Sequence, residues 1–378
     1  MKPVLLTWLP LLLSVGAGLP GAAVAAAPAA SAGGMVAVPP SAPLGPAAFW
    51  PPERQWQRLR ERTAQEPALA AYVQAQYRWV AQHWDRAPGV PARLAPEPAP
   101  TPEGLVELQA LGFLFQMTGE AAYAQRASQV LQAWAARLPP SGEPLEASRL
   151  EPALWAYRLL RPALPAPERA RIDAWWQAWA QALWASRDLS GPSAQDRQHS
   201  HRLKTVGLIG LALGDAGWVS RVRLGLQQQL MDNLLPDGAS LDYQARQQLA
   251  DQVDDLRALL TLALALRGSG PDLYRWGTPS GASMAHSVAW TLAREAEARG
   301  PSPRRSAAIT GRPAAGAWQA FVVLVQALQP GMVPPGAAGG PVLTGVPGDA
   351  DDLGLGDLGR GVALRAWLNS VAGDRLPP

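Results

Sequence analysis

Cysteine is absent from all 378 residues, which excludes a disulfide framework and a cysteine-ligated metal site. Lysine occurs only twice, at Lys2 and Lys204, so arginine supplies almost all the positive charge. The formal net charge is +3, and no Lys/Arg run stands out, which gives nucleic-acid binding little support. After the N-terminal stretch no run of about 18 apolar residues occurs, so no membrane span is expected there. Alternating strand pattern is also missing. What the chain has instead is a hydrophobic fraction of 48% and sixteen tryptophans, many at helical spacing. Most of these read as helix packing, although an indole face also stacks on sugar rings.

The chain divides by composition. Residues 1–27 resemble a secretory leader: Lys2, an apolar stretch from Val4 to Val15, and Ala23-Val24-Ala25 as a cleavage pattern. A soluble periplasmic or secreted protein is the expectation. Residues 28–46 are Ala/Pro/Gly/Ser-rich and read as a disordered linker. Residues 47–330 carry the helical patterning, and 331–378 form a Gly/Pro-rich tail with a short helix, Gly361 to Val371.

Within the helical part, Thr101-Pro102-Glu103 predicts a capped helix start, and Gly119 its end. Leu105, Leu108, Leu111 and Phe115 form one stripe; Tyr123, Ala127, Val130, Leu131, Trp134 and Leu138 form its partner. A second pair carries Leu154, Tyr157 and Leu160 against Ile172, Trp176, Trp179 and Leu183. Ser190 to Ser200 reads as a polar loop before helices from His201 to Leu213 and Val219 to Leu230. Leu241 to Leu266 reads as one long helix, and Met284 to Arg299 with Ala315 to Leu328 as a last pair. Hairpins recurring at roughly 40-residue intervals stack as a solenoid or close into a ring. The expected class is all-α, an incomplete α/α toroid of antiparallel helix pairs.

Chemistry concentrates between Gln195 and Leu260. His199 and His201 lie two apart at a loop-to-helix junction, where a neutral imidazole can take a proton. Arg202 and Lys204 follow, cations suited to an anionic substrate. Asp251, Asp254 and Asp255 share one helix face, with Arg246 and Arg257 near enough in sequence to neutralise part of it. Such a face is ordinarily solvated surface; turned into a cleft, it suits acid/base work. No third ligand at matching spacing supports a metal, and no cofactor motif survives inspection: Gly354-x-Gly356-x-x-Gly359 follows no strand. His286, beside Val288 and Trp290, reads as packing.

This central stretch resembles the alginate lyase family of helical polysaccharide lyases. Gln198-His199-Ser200-His201-Arg202 is similar to that family's Asn- and His-containing motif at a helix start. Asp237-Gly238-Ala239-Ser240-Leu241-Asp242-Tyr243, followed by Arg246, Leu249 and Asp255-Leu256, is similar to its second motif. The resemblance implies an incomplete α/α toroid and β-elimination on an acidic polysaccharide. It implies His201 as the base and Arg246 on the substrate carboxylate; their place beside His201 adds Arg202 on that carboxylate and His199 and Lys204 as further substrate contacts, and the acid is Asp251, at the family's tyrosine position, or Tyr243 as a nearby stand-in. The chain departs from the family where a catalytic tyrosine is expected, at Asp251; Gln252 and Asp254 replace the family's neighbouring His and second Tyr. Two other readings remain: a sugar-binding relative that has lost the reaction, and a glycoside hydrolase using Asp251 and Asp254.

Overall fold

A computed structural model describes residues 53–65, 67–83, 100–187, 195–267, 269–299, 311–329 and 331–333. The leader-like stretch, the linker and the tail from residue 334 on lie outside these. All described residues belong to one unit, Pro43–Pro378.

The helices are α1 (Glu53–Thr63), α2 (Pro67–His83), α3 (Pro102–Thr118), α4 (Ala121–Arg137), α5 (Pro144–Arg149), α6 (Glu151–Leu160), α7 (Ala166–Ala185), α8 (Arg197–Leu213), α9 (Ala216–Asn233), α10 (Leu241–Arg246), α11 (Leu249–Ala265), α12 (Met284–Arg299) and α13 (Ala315–Leu328). Among the described residues there is no strand; Leu234 and Ser240 form an isolated bridge.

Local chemistry sets the ends. The Thr101 hydroxyl accepts from the Gly104 N–H at 3.1 Å and caps α3. Gly119, at φ 74°, closes α3 by donating to the Phe115 carbonyl, a backbone turn that favours glycine. α12 and α13 run between the residues the spacing predicts.

Two layers follow from which helices are buried all round. α8 and α11 bury nearly every residue, whereas α7 and α9 bury about one face. The inner helices α3, α6, α8, α11 and α13 touch in succession, and α4, α7, α9 and α12 pack outside them. Close approach makes the inner layer possible: a Cβ on Gly112 of α3 would lie 3.0 Å from the Ala156 backbone of α6. This alternation of inner and outer helices is the incomplete α/α toroid.

Three expectations change. The Ser190–Ser200 loop is shorter than predicted, because Asp196 caps a helix that already starts at Arg197. The long helix predicted from Leu241 to Leu266 is broken. Gln247 takes φ 56°, ending α10, and α11 begins at Leu249 with the Ala250 N–H donating to the Gly311 carbonyl at 2.7 Å. The short α5 is new; it packs against α8.

Candidate active site

The start of α8 is held by carboxylates, as its unpaired N–H groups and dipole favour. Asp196 accepts from the Gln198 N–H at 2.9 Å, and Asp242 of α10 accepts from the Arg197 N–H at 2.7 Å. Gln229 of α9 donates to the carbonyls of Gln195 and Asp196 and to the Ser200 hydroxyl. Both histidines therefore sit in the opening turns of a fixed helix.

They face different neighbours, as their spacing predicts. His201 is buried, with Nδ1 2.9 Å from the Ser148 hydroxyl. Its Nε2 lies 3.3 Å from Asp254 Oδ2, close enough for charge attraction but off the line of a hydrogen bond. Burial pushes the imidazole pKa down, against the pull of Asp254. His199 sits beside Arg202, Nδ1 to Nη1 3.2 Å, and burial together with Arg202 and Arg187 lowers its pKa to about 4.

Lys204 has no exposed surface. Its ammonium donates to Ser148 at 2.6 Å and to Glu151 of α6 at 2.8 Å. It lies behind His201 and has no surface on which to meet a substrate, contrary to the expected substrate contact. Burial lowers its pKa while Glu151 opposes that shift.

The acids of α11 are not a solvated face. Asp251 accepts from Arg197 at 2.9 Å and from Arg246 at 2.6 Å, one guanidinium on each oxygen. Asp254, 29% exposed, meets His201, Arg197 at 3.4 Å and Arg257 at 3.8 Å. Burial pushes its pKa up, but His201, Arg257 and Arg197 outweigh it and hold it well below the usual carboxylate range. Asp255 is wholly buried; burial raises its pKa to about 8, and the Asn233 amide bonded to it at 2.7 Å offsets this only in part. Arg246 reaches Asp242 at 2.5 Å as well as Asp251 and is the most exposed member, at 44%.

Thus His201, Asp251, Arg246, Lys204 and Arg202 lie on helices that meet around the start of α8. Tyr243 of α10 is buried and packs edge-on against Trp290 at 4.7 Å. His286 is exposed, so the packing role predicted for it does not hold. Sequence reasoning missed Ser148, Glu151, Arg197, Asn233 and Asp242. Only Asp242 stood in a recognised motif; the others have partners 22 to 56 residues away and carry no local signal. Gln252, in the place of a family His, clamps the Gly238–Ser240 turn through Oε1 and Nε2. A cavity of about 440 Å³ lies elsewhere, lined by Trp56, Arg60, Phe115 and Arg158, and no candidate residue borders it. Chemistry rather than hollow volume marks the site. Among the described residues no group of three His, Asp or Glu is placed to hold a metal, and no helix is long and apolar enough to cross a membrane.

Comparison with known proteins points one way. A family model described as alginate lyase matches residues 107–300, just over half of the chain. An alginate lyase from Bacteroides ovatus superposes with a TM-score of 0.57 at 12% identity, covering 75% of this chain and 92% of that one. Alginate lyase A1-III from Sphingomonas species A1 gives 0.49 at 18% identity, covering 64% and 70%. No curated protein matches.

Proposed function

The chain belongs to the alginate lyase family, and from that premise we propose that it is a polysaccharide lyase cleaving a uronate-containing polymer by β-elimination. The observation that carries this reading is the pair of part-exposed guanidiniums, Arg197 at 33% and Arg246 at 44%, beside a buried histidine and an ionised carboxylate. A planar guanidinium fork suits a sugar carboxylate. Neutralising that carboxylate acidifies the proton at C5. The His201–Asp254 pair manages this proton, and Tyr243 donates to the leaving O4. Asp251, with a guanidinium on each oxygen, is poorly placed to be the acid. Arg202 and His199 lie deeper, beside each other. The leader-like stretch supports an exported setting.

A second reading rests on a specific feature. Arg197 and Arg246 are already paired with the chain's own carboxylates, as expected of a sugar-binding relative without the reaction. The hydrolase reading is weaker, because Asp251 and Asp254 share one Arg197 nitrogen and leave no room for a sugar and water between them.

The test is ultraviolet absorbance of unsaturated uronate on a polyuronate panel that includes alginate. A rise that His201→Ala abolishes supports the lyase. Binding by calorimetry without absorbance supports the second reading, and new reducing ends without absorbance support hydrolysis.

A further inference from the structure

The structure assigns to Lys204 the task of fixing which ring nitrogen of His201 carries the proton. An ammonium has three donors and no acceptor, so at 2.6 Å the Ser148 oxygen receives a hydrogen from Lys204. The ammonium turns the Ser148 hydroxyl hydrogen away from itself and polarises it, which favours donation to the other neighbour, His201 Nδ1 at 2.9 Å, over a second N–H approaching the same oxygen. With Nδ1 the acceptor, the proton of the neutral ring sits on Nε2, 3.3 Å from Asp254 Oδ2. Glu151 anchors the far end at 2.8 Å. The line Glu151–Lys204–Ser148–His201–Asp254 crosses four helices and is buried except at Asp254. The charged groups bearing on His201 are Lys204 on its own helix and Asp254 and Arg257 on α11, with Glu151 of α6 behind the lysine.

The chemical consequence rests on the lyase reading; the wiring does not. A neutral His201 so held has no lone pair free for substrate. It is a positioning residue that turns an N–H toward Asp254, and Asp254 is the group that reaches the polymer. The C5–H bond breaks with its proton passing to Asp254. The electron pair forms the C4–C5 double bond, the C4–O4 bond breaks, and O4 takes the proton of Tyr243. A substrate carboxylate that engages Arg197 removes one of the cations holding Asp254 acidic, so the base strengthens as the substrate binds.

The test uses the full chain labelled with ¹⁵N-histidine, which has only four histidines. His201 is assigned by the signal lost in His201→Gln, and ring proton–nitrogen correlations are read near neutral pH. The expected result is a proton on Nε2 in the parent and a mixed tautomer in both Ser148→Ala and Lys204→Met. A proton on Nδ1 in the parent, or a tautomer unmoved in the variants, overturns the proposal. Should Lys204→Met fail to fold, Ser148→Ala carries the test alone. On a polymer that is turned over, Ser148→Ala is expected to lower kcat about a hundredfold at unchanged KM; unchanged kcat overturns the positioning role. The expected tautomer in a protein that cleaves nothing leaves the wiring standing and overturns the lyase reading instead.

Discussion

The toroid has two regions built on opposite principles. On the α4–α7 side the interior is built largely from tryptophan: Trp175, Trp176 and Trp179 cluster beneath Leu138, whose carbonyl accepts from the Trp175 indole at 2.9 Å. Its ion pairs reach the surface to differing degrees: Arg161 and Asp173 are both more than a quarter exposed, Arg126 and Glu107 less so. Around α8 and α11 charge is buried outright: Lys204 and the Glu151 that α6 turns toward it are almost without exposure. Surface pairs contribute little either way, whereas a buried pair costs desolvation that its attraction barely recovers. A fold that builds one region from tryptophan has no structural need to build the next from lysine and aspartate. On the lyase reading proposed above, the contrast marks the region whose side chains serve chemistry rather than stability.

That contrast is open to attack. The largest effect is expected at Glu151→Ala, which strands a buried ammonium and costs about 3–5 kcal/mol in urea unfolding. Lys204→Met combined with Glu151→Leu is expected to recover most of that loss while leaving the protein inactive. A double variant as unstable as the single one would make the pair structural. Trp179→Ala costs a comparable 3–5 kcal/mol or so, with no recovery available from a second site.

A smaller effect concerns pH. The Asp255 pKa is raised to about 8 from an ordinary 3.8, so the folded state binds the extra proton. Its contribution to stability is complete below pH 3.8 and is lost as pH rises through 8. Asp255→Asn should match the parent in acid and exceed it at pH above 8 in paired denaturation curves. His199 works in the other direction: with its pKa lowered to about 4 from 6.5, its contribution is present above 6.5 and lost as pH falls through 4.

The smallest effects test the frame. Thr101→Ala removes the α3 cap and costs about 1 kcal/mol in thermal unfolding. Gln247→Gly, at a left-handed position, is expected to gain up to about 1 kcal/mol, the relieved strain exceeding the added chain entropy.

The apolar region was the more legible in sequence, because its signals are local. The Thr101 cap, the Gly119 stop and the stripes at spacings of three and four predict helices that form where expected. The polar region was legible in composition and not in arrangement. The histidines, Arg246 and the α11 acids stood out, but nothing near Asp254 announces that it meets His201. Nothing near Lys204 announces Ser148, 56 residues away. The Gln247 break escaped because neither glycine nor proline marks it; long-range packing, including the Gly311 contact at Ala250, imposes it.

The buried Lys204 also has a practical use. It is the one lysine past residue 2, and its amine is sealed inside the fold. An acylating reagent that finds no other amine among the described residues can tag this position only when the core around α8 opens. The mass gained on the peptide carrying Lys204, followed in time, becomes a clock for the deepest opening of the molecule, with no probe to be engineered.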